Sequence, residues 1–284
     1  ILREKNQEEN ENMNLRTDIA HERHEIISKN NVDGVVVNQW TEEKTEITLT
    51  EIKTNEAESI MNKPKGKYIT LKLPEFSHES ELTDGRLDVL TKQIRNILPE
   101  NVKTFLVAGL GNENITPDAL GPLCASKILS TRHFENYLEE DLFISKLNPV
   151  SAISTGVLGQ TGIETAEYIK GIVEIVKPDL VIIVDALATI KKSNLCKTIQ
   201  ITNTGITPGS GVGNYRKTID KETLGVPVIS IGVPTVISLE NDENMIVTPR
   251  EIDTIVNRAS SLIAMGINCA IQPTADAELF LALS

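Results

Sequence analysis

Leu180-Val181-Ile182-Ile183-Val184 is an unbroken apolar run, β-branched at four of its five positions. A strand with one wet face alternates polar and apolar residues. A run apolar on both faces belongs to a strand covered from both sides, as in a parallel sheet sandwiched by helices. A second such run, Lys103-Thr104-Phe105-Leu106-Val107-Ala108, leads into Gly109-Leu110-Gly111-Asn112, and residues 198–202 and 226–233 read as further strands. Between them lie helical patterns. Residues 86–98 set Leu87, Leu90, Ile94, Ile97 and Leu98 on one face and stop at Pro99; residues 163–176 and 250–264 repeat the 3.6-residue period. Strand–helix alternation predicts the α/β class, with a mostly parallel sheet flanked by helices. Aromatic residues are 4% of a chain that is 40% hydrophobic, so aliphatic side chains must fill the core.

The N-terminal part has a different texture. Residues 1–14 are polar and aperiodic, a mobile leader by composition. Residues 33–74 contain Gly34-Val35-Val36-Val37, Thr45-Glu46-Ile47-Thr48-Leu49-Thr50 and the alternating Lys67-Tyr68-Ile69-Thr70-Leu71-Lys72-Leu73. They read as a small, β-rich, antiparallel subdomain, ahead of a core over 100–270. Forty acidic against 28 basic residues, a net charge of -12, argue against a nucleic-acid surface. No apolar run approaches a membrane span, and no signal peptide opens the chain, so a cytoplasmic protein is expected. Cys124, Cys196 and Cys269 form no CxxC and are expected as reduced, packed thiols.

In an open parallel sheet, functional groups gather beyond the carboxyl ends of the strands. Asp185 directly follows the run 180–184. Asp118 follows 105–108, where Thr116-Pro117-Asp118 can open a helix with Thr116 as its N-cap. If the two strands are neighbours, both carboxylates face one crevice, share one proton and can hydrolyse an amide as base and acid. Either aspartate alone is as readily structural, favouring a helix N-terminus or bonding loop amides. The pair tips the balance.

The loop from Gly205 to Asn214, with Gly209, Ser210, Gly211 and Gly213, exposes backbone amides suited to a substrate or an oxyanion, or it is simply a flexible connection. It has neither the dinucleotide-binding nor the P-loop spacing. Gly156-Val157-Leu158-Gly159-Gln160-Thr161-Gly162 reads as the entry to the helix that follows. His21 and His24 stand in His-Glu-Arg-His-Glu, one residue short of the HExxH zinc pattern, and a solvated segment is expected there. His78 and His133 are isolated. No metal or cofactor is expected.

Several blocks resemble the germination proteases of spore-forming bacteria. They are Gly109-Leu110-Gly111-Asn112, Thr116-Pro117-Asp118-Ala119-Leu120-Gly121-Pro122, Thr161-Gly162-Ile163-Glu164-Thr165 and Val184-Asp185-Ala186-Leu187-Ala188. With them stand Pro208 to Asn214, Gly232-Val233-Pro234-Thr235-Val236 and Val247-Thr248-Pro249. The blocks keep the family's order from about residue 15 to residue 270. The resemblance implies an aspartic endopeptidase of the spore core that degrades small acid-soluble spore proteins, with Asp118 and Asp185 matching the family's catalytic aspartates. It implies a fold similar to hydrogenase maturation proteases and a homotetramer made as a zymogen that removes its own propeptide. Family specificity, an acidic residue, then a large apolar one, then Ala, matches Asp18-Ile19-Ala20. That places the processing bond between Asp18 and Ile19, with 1–18 as propeptide and 19–284 as one peptidase domain. Only about a dozen residues separate the Pro-Thr-Val and Val-Thr-Pro motifs, so the chain resembles a short, clostridium-like form. Two other readings stay open: a metal-assisted maturation-type protease, and a non-catalytic sporulation protein that uses the glycine-rich loop to bind.

Overall fold

A computed structural model describes residues 17–27, 32–74, 76, 85–136, 147–214, 216–238 and 246–272. The expected leader 1–14, His78, most of the short segment between the Pro-Thr-Val and Val-Thr-Pro motifs, and the C-terminal stretch from 273 lie outside the described residues.

The chain runs α1 (Ala20–Ile27), β1 (Val35–Glu42), β2 (Thr45–Ile52), α2 (Asn55–Met61), β3 (Gly66–Lys72), α3 (Arg86–Ile97) and β4 (Phe105–Gly109). It continues through α4 (Leu120–Ala125), β5 (Val150–Ser154), α5 (Leu158–Thr161), α6 (Thr165–Val176), β6 (Leu180–Thr189) and β7 (Thr198–Thr202). It closes with α7 (Lys221–Leu224), β8 (Val228–Ser238), β9 (Ile246–Val247) and α8 (Ile252–Ile271). Among the described residues the strands form one nine-stranded sheet in the order β1-β2-β3-β7-β8-β6-β4-β5, with β9 paired to β8.

The α/β class holds, but the sheet is mixed rather than mostly parallel. Only β4–β5, β4–β6 and β6–β8 pair in parallel; β1–β2, β2–β3, β3–β7, β7–β8 and β8–β9 are antiparallel. The β-rich residues 33–74 join the main sheet through β3 and β7. The apolar runs 105–108 and 180–184 are legible as parallel strands because helices cover both their faces. The short strand β7 carries no such mark of direction.

The sheet splits the core by strand alternation. On one face Val107, Ile182, Val184, Ile199 and Ile231 pack with α3, α4 and α8. On the other, Leu106, Ala108, Val181 and Ile183 meet Ile169 and Val173 of α6 and Leu224 of α7. Helix α8 is 20 residues, longer than the expected 250–264, and by length and composition it reaches a membrane span, contrary to expectation. Seventy-two per cent of that span is buried inside the protein, where it packs against α3 and α4 as a core helix.

The His21–His24 segment is not solvated. It forms α1, whose Glu22 is 0% exposed. The Glu22 carboxylate accepts from Thr17 Oγ1, Thr189 Oγ1, Asn194 Nδ2 and the Ile190 N–H. A buried charge is tolerated only when hydrogen-bonded in this way. These bonds pin α1, and the residues just before it, to the carboxyl end of β6.

Candidate active site

Strands β4 and β6 are parallel neighbours, with Gly109 opposite Val184. Beyond them the Leu110 N–H donates to Val184 O at 2.8 Å, and Gly111 turns the chain at φ +114°. Residues Thr116–Asp118 form a 3-10 turn rather than the first turn of a helix, and Thr116 is not an N-cap; α4 begins only at Leu120. The turn brings Asp118 back over the strand ends, where its Oδ2 accepts from the Asn112 N–H at 2.7 Å. Close backbone packing holds it there. A Cβ on Gly121 would lie 2.2 Å from Leu110 O and 2.5 Å from Val184 O, so α4 rests directly on the strand-end backbones.

Asp185 is 6% exposed, and its Oδ1 accepts from the Ala186 N–H at 2.9 Å. Burial pushes its carboxyl well above the ordinary carboxylate range, and the charges of Asp118 and Asp18 push it further. Burial also raises Asp118, which is less enclosed, against the stabilising Asn112 N–H. One member of the pair is therefore disposed to hold a proton and the other to lose it. Among the described residues no three His, Cys, Asp or Glu side chains form a metal-binding group.

The expected processing residues lie near Asp185, close enough for the Asp18 charge to act on it. The Asp18 N–H donates to Ala188 O at 3.0 Å, and the Ala188 N–H donates to Asp18 Oδ2 at 2.8 Å. Ser210 Oγ donates to Asp18 Oδ1 at 2.8 Å. Gln200 Nε2 donates to Asp18 O at 2.9 Å, and the Ala20 N–H donates to Gln200 Oε1 at 2.8 Å. Ile19 and Ala20 are 0% exposed. A cavity of about 520 Å³ opens beside Asp18 and is lined in part by Arg23, Tyr68, Gln200 and Ser210.

The glycine-rich loop divides by role. Ser210 and Gly211 face Asp18; a Cβ on Gly211 would come within 2.2 Å of Asp18 Oδ2. Gly209 and Gly213 have φ of +73° and +74° and flank a 3-10 turn over Ser210–Val212. They shape the loop. His133 is exposed, and the three cysteines are buried and in no disulfide. Gln200 and the Ala188 amide, which hold Asp18, carry little mark in the sequence. The one available signal was a lone amide side chain inside the apolar strand Thr198-Ile199-Gln200-Ile201-Thr202.

A family model described as Germination protease matches residues 9–242. The germination protease of Clostridium perfringens strain 13 is 40% identical over 313 aligned residues, spanning 92% of this chain and 96% of that protein. That of Caldanaerobacter subterraneus is 40% identical over 92% of this chain and 95% of its own. The Geobacillus relative is 44% identical over 78% of this chain but 63% of its own length. A NiFe hydrogenase maturation protease from Thermococcus kodakarensis aligns in structure over 62% of this chain and 98% of that one, at 21% identity and a TM-score of 0.38.

Proposed function

The chain belongs to the germination protease family, and from that premise we propose that Asp118 and Asp185 are the acid–base pair with which it hydrolyses peptide bonds. The observation that carries this is that β6 runs on beyond its last pair with β4, so that Asp185, the next residue of β6, is buried against the charge of Asp118 on the turn that follows β4. Asp185, the more enclosed, holds the proton; Asp118 is the base. Asp118 takes a proton from water as the oxygen attacks the carbonyl carbon, and Asp185 gives its proton to the carbonyl oxygen. As the diol collapses, Asp185 recovers that proton and Asp118 passes its own to the leaving nitrogen. The C–N bond breaks, one water is consumed, and the pair returns to its starting state.

The family reading supports small acid-soluble spore proteins as substrates, the spore core as the place of action and a homotetramer as the assembly. It also supports 1–18 as a propeptide cut from a single peptidase domain, 19–284, at the bond between Asp18 and Ile19. Intramolecular cutting is supported by the hold of Ala188 and Ser210 on Asp18 and by the nearness of Asp18 to Asp185. Incubating the purified full chain and sequencing its products tests this. A new N-terminus at Ile19, appearing at the same rate after exhaustive EDTA treatment, is expected. Loss of cutting on chelation, restored by a divalent metal, would instead favour the metal-assisted reading.

A further inference from the structure

Residues 17–20 do more than lie near the two aspartates. Both sides of the chain are held. Asp18 exchanges backbone and side-chain hydrogen bonds with Ala188 at the end of β6, so its carboxylate is clasped between that amide and the Ser210 hydroxyl. The single side-chain amide of Gln200 spans the next two peptide groups, donating to the Asp18 carbonyl and accepting from the Ala20 N–H. The segment bends at Asp18 and enters α1 at Ala20, and its contacts are those a peptide bound for cutting needs: main-chain bonds for register, a fitted side chain and a donor on the carbonyl to be attacked.

Sheet register places this set beside the aspartates. Gln200 on β7 pairs with Gly232 on β8, and Gly232 pairs with Asp185 on β6. All three therefore sit in one row across the sheet. Gln200 and Asp185 fall on the same face, because residues opposed in a ladder point the same way. Between them Gly232 carries no side chain, and a Cβ there would lie 2.6 Å from Leu187 Cγ. Gln200, 6% exposed, faces the crevice from the side away from Asp118.

We propose that residues 17–20 occupy the cleft as a substrate does, with Gln200 a catalytic residue that polarises the carbonyl to be attacked. Ser210 and the Ala188 amide then read the acidic side chain of the residue that supplies it. This rests on Asp118 and Asp185 being the hydrolytic pair. Gln200 Nε2 strengthens its bond to the carbonyl oxygen as that oxygen gains charge, while Gln200 Oε1 keeps the leaving side of the peptide in register. Gly211 is required because a side chain there would fill the space of the clasped carboxylate.

Variants at two positions test the proposal, Gln200 by single-turnover self-cleavage of the full chain and Ser210 on added peptides, with thermal unfolding as the folding control. Gln200→Met loses the donor to the Asp18 carbonyl without adding a carboxyl that burial and the neighbouring aspartates would keep protonated and donating. Cleavage about 100-fold slower is expected, the usual effect of losing one such donor. If Gln200→Met does not fold, Gln200→Leu removes the same donor, and a similar loss is expected. Ser210→Ala, after removal of its own residues 1–18, is to be assayed on added peptides containing Thr-Asp-Ile-Ala or Thr-Ala-Ile-Ala. The preference for the acidic peptide should fall by about ten-fold, the order expected for one hydrogen bond to a charged group. Folded Gln200 variants cutting within three-fold of the unsubstituted chain, or an undiminished preference in Ser210→Ala, would overturn the proposal. Failure of the aspartate pair reads differently: Asp118→Asn and Asp185→Asn would then still cut, whatever Gln200 does.

Discussion

Asp118→Asn and Asp185→Asn each reduce peptide-bond cleavage by about 1,000-fold or more, because asparagine neither takes nor gives a proton and general acid–base catalysis contributes ~10²–10⁴. The two variants should nevertheless fold. Each substituted side chain keeps an amide oxygen, which can still accept from the Asn112 N–H in the first variant and from the Ala186 N–H in the second. Stability separates them from ordinary loss-of-function variants. The folded-state pKa of Asp185 is raised above its unfolded value by burial and by neighbouring negative charge. Its contribution to stability is therefore complete below the ordinary carboxylate pKa and is lost as pH rises through the folded-state value. Asparagine does not titrate. Asp185→Asn should match the unsubstituted protein in urea unfolding under acid conditions and exceed it progressively as pH rises. An inactive variant that is also more stable at alkaline pH is the signature of a carboxylate kept for chemistry. Full activity in both folded variants would remove the pair from the mechanism.

Gly121→Ala is expected to damage the protein far more than its single added methyl suggests. The new Cβ would face Leu110 O at 2.2 Å, Leu110 N at 2.4 Å and Val184 O at 2.5 Å, all backbone atoms of the strand ends that carry the site. No side chain can rotate away, so α4 must lift from β4 and β6. Overpacking of this kind costs about 3 kcal/mol, a fall in Tm of roughly 5–10 °C for a domain of this size. The turn bearing Asp118 moves with α4, and cleavage should fall with it. Gly171→Ala is the contrasting control. It sits inside α6 with no atom within 4 Å of the added Cβ, so the same substitution should stabilise by about 0.5–1 kcal/mol. Equal effects from the two substitutions would show that close approach of α4 is not what holds the strand ends together.

The parts legible in the sequence are those where a local pattern has one structural solution. The run 180–184 had to be a covered strand, the 3.6-residue period in 86–98 yielded Arg86–Ile97, and 198–202 forms β7 with the same bounds. Asp118 and Asp185 stand out as candidates because each follows an apolar run, although β6 continues past Asp185 to Thr189. What stayed hidden depends on distant partners. Glu22 looks solvent-bound in a polar stretch, yet it is buried, with β6 and Asn194 supplying its partners from some 170 residues away. The antiparallel insertion of β7 between β3 and β8 is a matter of pairing, and alternation says nothing of direction. The 3-10 turn at Thr116 replaces the expected helix start because α4 is fixed by Gly121 against the strands, which leaves residues 116–118 to a tighter connection. Gln200 was missed for a related reason. The role proposed for it depends on sharing a row with Asp185, two strands away.

The pH dependence of single-turnover cleavage, followed from about pH 4 to about pH 9, tests most directly whether the two aspartates work as one proton-sharing pair. If Asp185 holds the working proton, the rate falls on the alkaline side as that proton is lost, at a pH above the ordinary carboxylate range, since burial and Asp118 raise it. A rate that instead climbs to a plateau and stays there through the alkaline range would mean that no protonated carboxyl is needed, and the pair would not be the acid and base of this reaction.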